Sequence, residues 1–175
     1  LTATLVSAVR SLGHKATVST TRRGQSIVRF SSDRLFGLIS RDFGRGAHNK
    51  NLPSWILQLP VPLQQSLLSA YLLGDGHHKR PHVWESKSTS IQLTLGFRDI
   101  GLRLGYAASL RQVNGHRNVV FPDGKEHPCR PQYAGWFNQS MTAGKEHYGR
   151  VSLDENYAYY KIKTIEQVGY KGPLY

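Results

Sequence analysis

The chain has 175 residues, with 23 Lys and Arg against 11 Asp and Glu, a formal net charge of +12 and a pI near 10.1. No stretch approaches the ~20 consecutive apolar residues needed to span a bilayer, no signal-peptide pattern opens the chain, and the lone Cys129 rules out an internal disulfide framework and lacks partners at metal-ligand spacing. The expectation is an intracellular, cytoplasmic or nucleoid-associated protein with no membrane partner, whose basic excess is explained by a polyanion, because self-repulsion alone adds nothing to stability.

The predicted elements begin with an amphipathic helix over residues 3–12, where Leu5, Val6, Val9 and Leu12 recur on one face. Strands at 15–20 and 26–30 flank a turn signal from Thr20 to Gln25. A helix over 33–42 follows, then a shorter one around 53–58. Residues 1–50 carry nine basic side chains and only Asp33 and Asp42, so this part alone has a net charge of +7. Helices over 62–75 and 91–104 come next, then strands at 107–113, 117–121 and 132–138. Pro122 to Pro131 form a turn-rich loop, Gly144 to Asn156 a polar linker, and 157–166 a last strand. Helices and strands in this order predict an α+β fold.

An internal repeat runs through these elements. Ser11-Leu12-Gly13-His14-Lys15-Ala16-Thr17-Val18 parallels Arg103-Leu104-Gly105-Tyr106-Ala107-Ala108-Ser109-Leu110 at an offset of 92 residues. Each Leu-Gly ends an amphipathic helix with a glycine able to take a positive φ. Each is followed by a turn-bearing stretch rich in Arg, Asn, Gly and Gln, at Thr20–Gln25 and Arg111–Arg117.

The helix over 62–75 is apolar all round. Ser66, Ala70 and Gly74 lie four apart, giving one stripe of small residues that admits a second helix at close range. It ends in Asp75 between Gly74 and Gly76. A carboxylate there sits at the negative end of the helix macrodipole, where a cation is preferred. Two readings follow. Asp75 is either a solvated residue in a Gly-Asp-Gly helix stop, or half of a site whose charge is neutralised by a metal ion.

The stretch Gln65-Ser66-Leu67-Leu68-Ser69-Ala70-Tyr71-Leu72-Leu73-Gly74-Asp75-Gly76 resembles the dodecapeptide of the LAGLIDADG homing endonucleases, with Leu68 at its first position and Asp75-Gly76 closing it. Ser69 and Ala70 are small-for-small changes, and Leu73 replaces an often acidic position. Upstream, Leu35-Phe36-Gly37-Leu38-Ile39, Phe43-Gly44, Lys50-Asn51-Leu52-Pro53-Ser54-Trp55-Ile56-Leu57 and Leu59-Pro60 are similar to the run before the second dodecapeptide of intein endonuclease domains. Downstream, Tyr159 to Glu166 and Val168 to Tyr175 resemble the strand by which an intein re-enters its splicing domain. The resemblance covers residues 33–105 and 157–175.

This resemblance implies a fold of two αββαββα repeats, with dodecapeptide helices at the seam and a β saddle over duplex DNA. Residues 1–52 would be the tail of the first repeat, 53–150 the second, and 151–175 the linker and re-entry strand. The repeat offset would place the counterpart of Asp75 about 17 residues before Leu1, so the second catalytic carboxylate is expected from a missing N-terminal repeat or from a second copy. The implied activity is site-specific hydrolysis of double-stranded DNA with Mg²⁺ or another divalent cation. Asp75 and Gly74 would lie at the metal, and Lys50 and Lys145 would be basic residues ordering water nearby. Arg22, Arg23, Gln25 and Arg29 would face DNA from the first repeat, and Arg111, Gln112, Asn114 and Arg117 from the second, with Tyr133 and Asn138 adding contacts. These types suit the major groove, where Arg and Lys read guanine and Asn and Gln read adenine. His77 and His78 have no ligand spacing and are expected to face solvent or phosphate. Leu1 is no splicing nucleophile and no terminal His-Asn pair follows, so splicing by this chain is not expected. The alternative is a decayed DNA-binding or structural remnant of such a domain.

Overall fold

A computed structural model describes residues 2–122, 124–139, 151–153, 157–162, 164–165 and 169. The chain divides into two compact units, Leu1–Arg45 and Gly46–Tyr175. The division falls at Gly44 and Gly46, both at φ 80°, a conformation open to glycine at little cost.

In the first unit, α1 (Thr2–Ser11) ends where the Gly13 N–H donates to the Arg10 carbonyl at 2.9 Å and the His14 N–H to the Val9 carbonyl at 3.2 Å. The strands β1 (Thr17–Thr20) and β2 (Ser26–Arg29) form an antiparallel hairpin in the register Thr17↔Arg29. Its tip closes through Gly24 N–H to Thr21 O and Thr21 N–H to Gln25 O. Helix α2 (Asp33–Asp42) starts at Ser32, whose hydroxyl accepts from the Leu35 N–H at 3.2 Å, an N-cap that satisfies one of the free donors of the first turn. Among the described residues of this unit Val9 is the one buried hydrophobic side chain, whereas Phe36, Leu38 and Ile39 on α2 are exposed.

The second unit opens with a 3-10 turn at Ser54–Gln58, locked to α3 (Val61–Asp75) by Gln64. The buried Gln64 amide donates to the carbonyls of Leu57 at 3.1 Å and Leu59 at 2.7 Å, giving partners to groups the turn leaves open. Helix α3 passes without a loop into β3 (Gly76–Arg80), which pairs with β4 (Val83–Ser88). That direct transition needs a glycine, because a Cβ on Gly76 would lie 2.2 Å from the Leu72 carbonyl oxygen. Helix α4 (Ile91–Arg103) is N-capped by Ser90, whose hydroxyl accepts from the Leu93 N–H and donates to the Lys50 carbonyl. Leu52 lies against Gly96 so closely that a Cβ there would meet its own at 2.5 Å. Strands β5 (Ala107–Asn114), β6 (Arg117–Val120), β7 (Glu126–Cys129) and β8 (Gln132–Asn138) follow, then the short pair β9 (Val151–Leu153) and β10 (Ala158–Tyr160).

The main sheet is antiparallel in the order β3-β4-β8-β5. The helix-facing residues include Phe137 and Gly135, which touch Gly101 and Thr94 of α4. Small side chains at Gly101, Ala108 and Gly135 let α4 settle on the sheet, and Leu68, Leu72, Phe97, Ile100 and Phe137 fill the space between. Tyr71 stacks face to face on Phe97 with centroids 3.7 Å apart.

The α+β class holds, with four α-helices among the described residues. Several features depart from expectation: β9 lies inside the expected polar linker 144–156, and of the expected strand 157–166 the described residues form a strand only over Ala158–Tyr160. The hairpin β3–β4 is present where no strand is predicted, and β7 occupies residues 126–129 inside the expected loop. The latter extends a ribbon. Pairing runs from Ala107↔Asn138 to Gln112↔Tyr133, shifts by one residue, and continues from Asn114↔Gln132 to Arg117↔Cys129 and Val120↔Glu126. No described helix is long and apolar enough to cross a membrane.

Candidate nucleic-acid interface

The internal repeat has a structural counterpart. The cap of α4 uses Gly105 N–H to Leu102 O and Tyr106 N–H to Gly101 O, the bonds made 92 residues earlier at Gly13 and His14. Gly13 and Gly105 take φ 80° and 77°. The tip of the long ribbon repeats the tip of the short one, with Gly124 N–H to Phe121 O and Phe121 N–H to Lys125 O. Here the offset is 100, because 16 residues rather than eight separate the cap glycine from the first tip residue. At about 3.3 Å per residue the second ribbon is roughly 25 Å longer.

Alternation along paired strands decides which side chains share a face. Trp84, Ser86, Ala108, Leu110, Gly135 and Phe137 lie on the helix side. On the open side one cross-strand row runs His77, Glu85, Trp136 and Ser109, and the next runs Lys87, Ala134 and Arg111. Glu85 is only 5% exposed, and three cations meet its carboxylate. Its Oε1 meets Lys79 Nζ at 3.5 Å and Lys87 Nζ at 3.4 Å, and its Oε2 meets Arg111 Nη2 at 3.4 Å. Burial pushes the Glu85 carboxyl up, but the hydrogen bonds and charges of Lys87 and Lys79 outweigh it and hold the group below the ordinary glutamate range. The Arg80 guanidinium lies 5.9 Å from the Trp136 ring centre, within cation–π range.

The residues expected from the sequence fall in several places. Arg22, Arg23 and Gln25 occupy the exposed tip of the β1–β2 hairpin, and Arg29 donates across it to the Ser19 hydroxyl at 2.7 Å. Arg111 lies on the open face of the main sheet. Gln112 and Tyr133 are paired with each other on the opposite side of the ribbon. Beyond an irregularity in the strand, Asn114 donates to Gln132 Oε1 at 3.0 Å, and Arg117 is exposed on β6. Asn138, expected at a surface, is 3% exposed at the end of β8. The exposed Lys50 is fixed through its backbone at the start of α4, and Lys145 lies outside the described residues. Lys79, Lys87 and the Glu85 that gathers them were not singled out in the sequence. Their signal was the alternation Val83-Trp84-Glu85-Ser86-Lys87-Ser88 after the turn-forming Pro81-His82, with His82 at φ 65°.

Asp75 and Gly74 are exposed at the end of α3. The buried face of this helix is Gln64, Leu68 and Leu72, whereas Leu63, Ser66, Ala70, Leu73 and Gly74 are exposed on the other side. Leu63 and Leu73 are 53% and 62% exposed, flanking the small-residue stripe. Nothing lies within 4 Å of a Cβ built on Gly74. Burial raises the Tyr71 phenol above its ordinary range; an interaction with the Ser86 hydroxyl opposes this, and the Asp75 charge adds to it. The Ser86 hydroxyl has no partner of good geometry, so the Tyr71 contact is a loose one. Among the described residues no three His, Cys, Asp or Glu side chains converge, so a divalent ion at Asp75 would need donors from elsewhere. No family model matches the chain, and no curated protein does.

Proposed function

We propose that the chain is the second repeat and part of the first of a LAGLIDADG homing endonuclease domain from an intein, cutting double-stranded DNA with a divalent metal ion. One observation carries this reading: the uncovered small-residue face of α3 leads directly to an exposed carboxylate at Asp75. The order helix, hairpin, helix, ribbon in the second unit supports it, as does the placement of Lys79, Lys87 and Arg111 on the sheet face away from the helices.

The donor set fits a hard cation in part. Asp75 supplies carboxylate oxygens, and a second helix on the Ser66-Ala70-Gly74 face, from another repeat or another copy, would supply the matching acid. Two carboxylates at such a seam repel unless cations sit between them. Mg²⁺ suits oxygen ligands and retained water, and when bound would acidify water and stabilise charge on the phosphate being cut. The chain's own residues perform the positioning. The stripe sets the distance between helices, Gly76 permits the abrupt entry into β3, and the basic sheet face and ribbons hold the backbone of the duplex. Lys50 stays a candidate for ordering water, held at the start of α4 by Ser90.

Ala70→Leu tests the helix seam. Ala70 is exposed in this chain, so the substitution should leave melting within about 0.5 kcal/mol of the parent. It should still abolish metal-dependent nicking of supercoiled plasmid, because a leucine in the stripe holds the second helix away. Undiminished nicking would remove the seam from the account.

A further inference from the structure

An acid at the centre of a DNA-facing surface is a liability unless it organises the cations around it. Glu85 is buried on the open side of the sheet, and its contacts come from three strands, Lys79 on β3, Lys87 on β4 and Arg111 on β5. Both lysines share Oε1, and the arginine uses Oε2. Ala134, between Lys87 and Arg111 in the pairing, has no bulk to separate them. Three long cationic side chains brought this close would otherwise repel and splay, each losing considerable rotamer freedom on binding. The contacts of 3.4–3.5 Å are loose for ion pairs, and the two lysines and the arginine stay 42%, 50% and 67% exposed. Their remaining donors are open to a ligand on the solvent side.

We infer that Glu85 is a positioning residue, gathering Lys79, Lys87 and Arg111 into one preorganised cradle for a backbone phosphate of duplex DNA. The inference rests on the DNA-binding reading and adds a sign that simple charge counting gets wrong. Removing an acid from a basic face should tighten binding to a polyanion by electrostatics alone. Removing the tether should weaken it, since the cations must then be ordered at the moment of binding.

The experiment measures binding of the full chain to a mixed-sequence duplex across a salt series, without divalent metal. Glu85→Gln removes the charge at nearly constant shape. Glu85→Asp keeps the charge and withdraws the carboxylate by one methylene. Lys87→Gln removes one member of the cradle, and Arg117→Gln, on the distant β6, reports on the wider interface. Both Glu85 variants should bind about three- to ten-fold more weakly. The slope of log affinity against log salt should become shallower by about 0.9 for each phosphate left unneutralised. In the double variant with Lys87→Gln, the two losses should be less than additive. Melting curves establish which variants fold, and if Glu85→Gln does not, Glu85→Asp decides. Unchanged or tighter binding by the folded Glu85 variants, with Lys87→Gln and Arg117→Gln both weakened, would overturn the positioning role and leave the DNA reading standing. Equal binding by every variant would overturn both.

Discussion

Asp75 and Glu85 are two carboxylates on a strongly basic chain, and their surroundings give them opposite tasks. Asp75 is exposed at the unfavourable end of a helix dipole, so it carries a small cost that a bound cation would relieve. Glu85 is buried and already paired with cations, so its charge contributes to holding the sheet together. Because the Glu85 carboxyl titrates lower in the folded chain than in the unfolded one, its contribution is fully present above the ordinary glutamate value of about 4.3. It is lost as the pH falls through the lowered native value. Melting followed from about pH 6 to pH 3 should therefore show a steeper acid decline in the parent than in Glu85→Gln. Parallel declines would mean that the Glu85 pairs contribute nothing to stability.

At the scale of elements, the parts legible in the sequence were those marked by local signals. Helices α2 and α4 follow their apolar faces and serine caps, α1 its apolar periodicity and α3 its all-round apolar character, and Gly13 and Gly105 announced two helix ends with the same hydrogen bonds. The hairpin β3–β4 was hidden because the helix enters it with no loop, and Gly76 reads as a helix stop rather than the first residue of a strand. β7 was hidden because Glu126-His127-Pro128-Cys129 has no apolar alternation. It is a strand because Arg117–Val120 lies opposite, in the register taken up after the shift between Gln112 and Asn114. The side on which each side chain falls was equally invisible. One residue of register separates Arg111 on the open face from Gln112 behind it, and an isolated strand does not reveal its partner. The ribbon also yields a prediction. Among the described residues the strands of its outer part, 117–120 and 126–129, pair with each other, so replacing that part by a short turn after Asn114 should cost little stability. The shortened chain should melt within about 1 kcal/mol of the parent and show a shallower salt dependence of DNA binding, by about 0.9 for each phosphate the outer ribbon had neutralised. A large loss of stability would show that the outer ribbon supports the fold.

The whole molecule combines two units of different completeness. The second buries a continuous core between α3, α4 and the four-stranded sheet, whereas the first leaves Phe36, Leu38 and Ile39 of α2 exposed. The first unit carries a short Arg-rich hairpin, and the second carries a hairpin about twice as long, beside a β4 strand whose buried Glu85 meets three cations. Shared helix caps and shared hairpin tips support reading them as versions of one plan. The central claim is that this plan ends in chemistry at Asp75. Its most direct test compares the parent with Asp75→Asn in plasmid nicking and duplex binding, with Mg²⁺ or Mn²⁺ and with chelator. The account predicts equal duplex binding by both, nicking by the parent only when metal is present, and none by Asp75→Asn. Nicking that survives in Asp75→Asn, or nicking by the parent that persists in chelator, would contradict it.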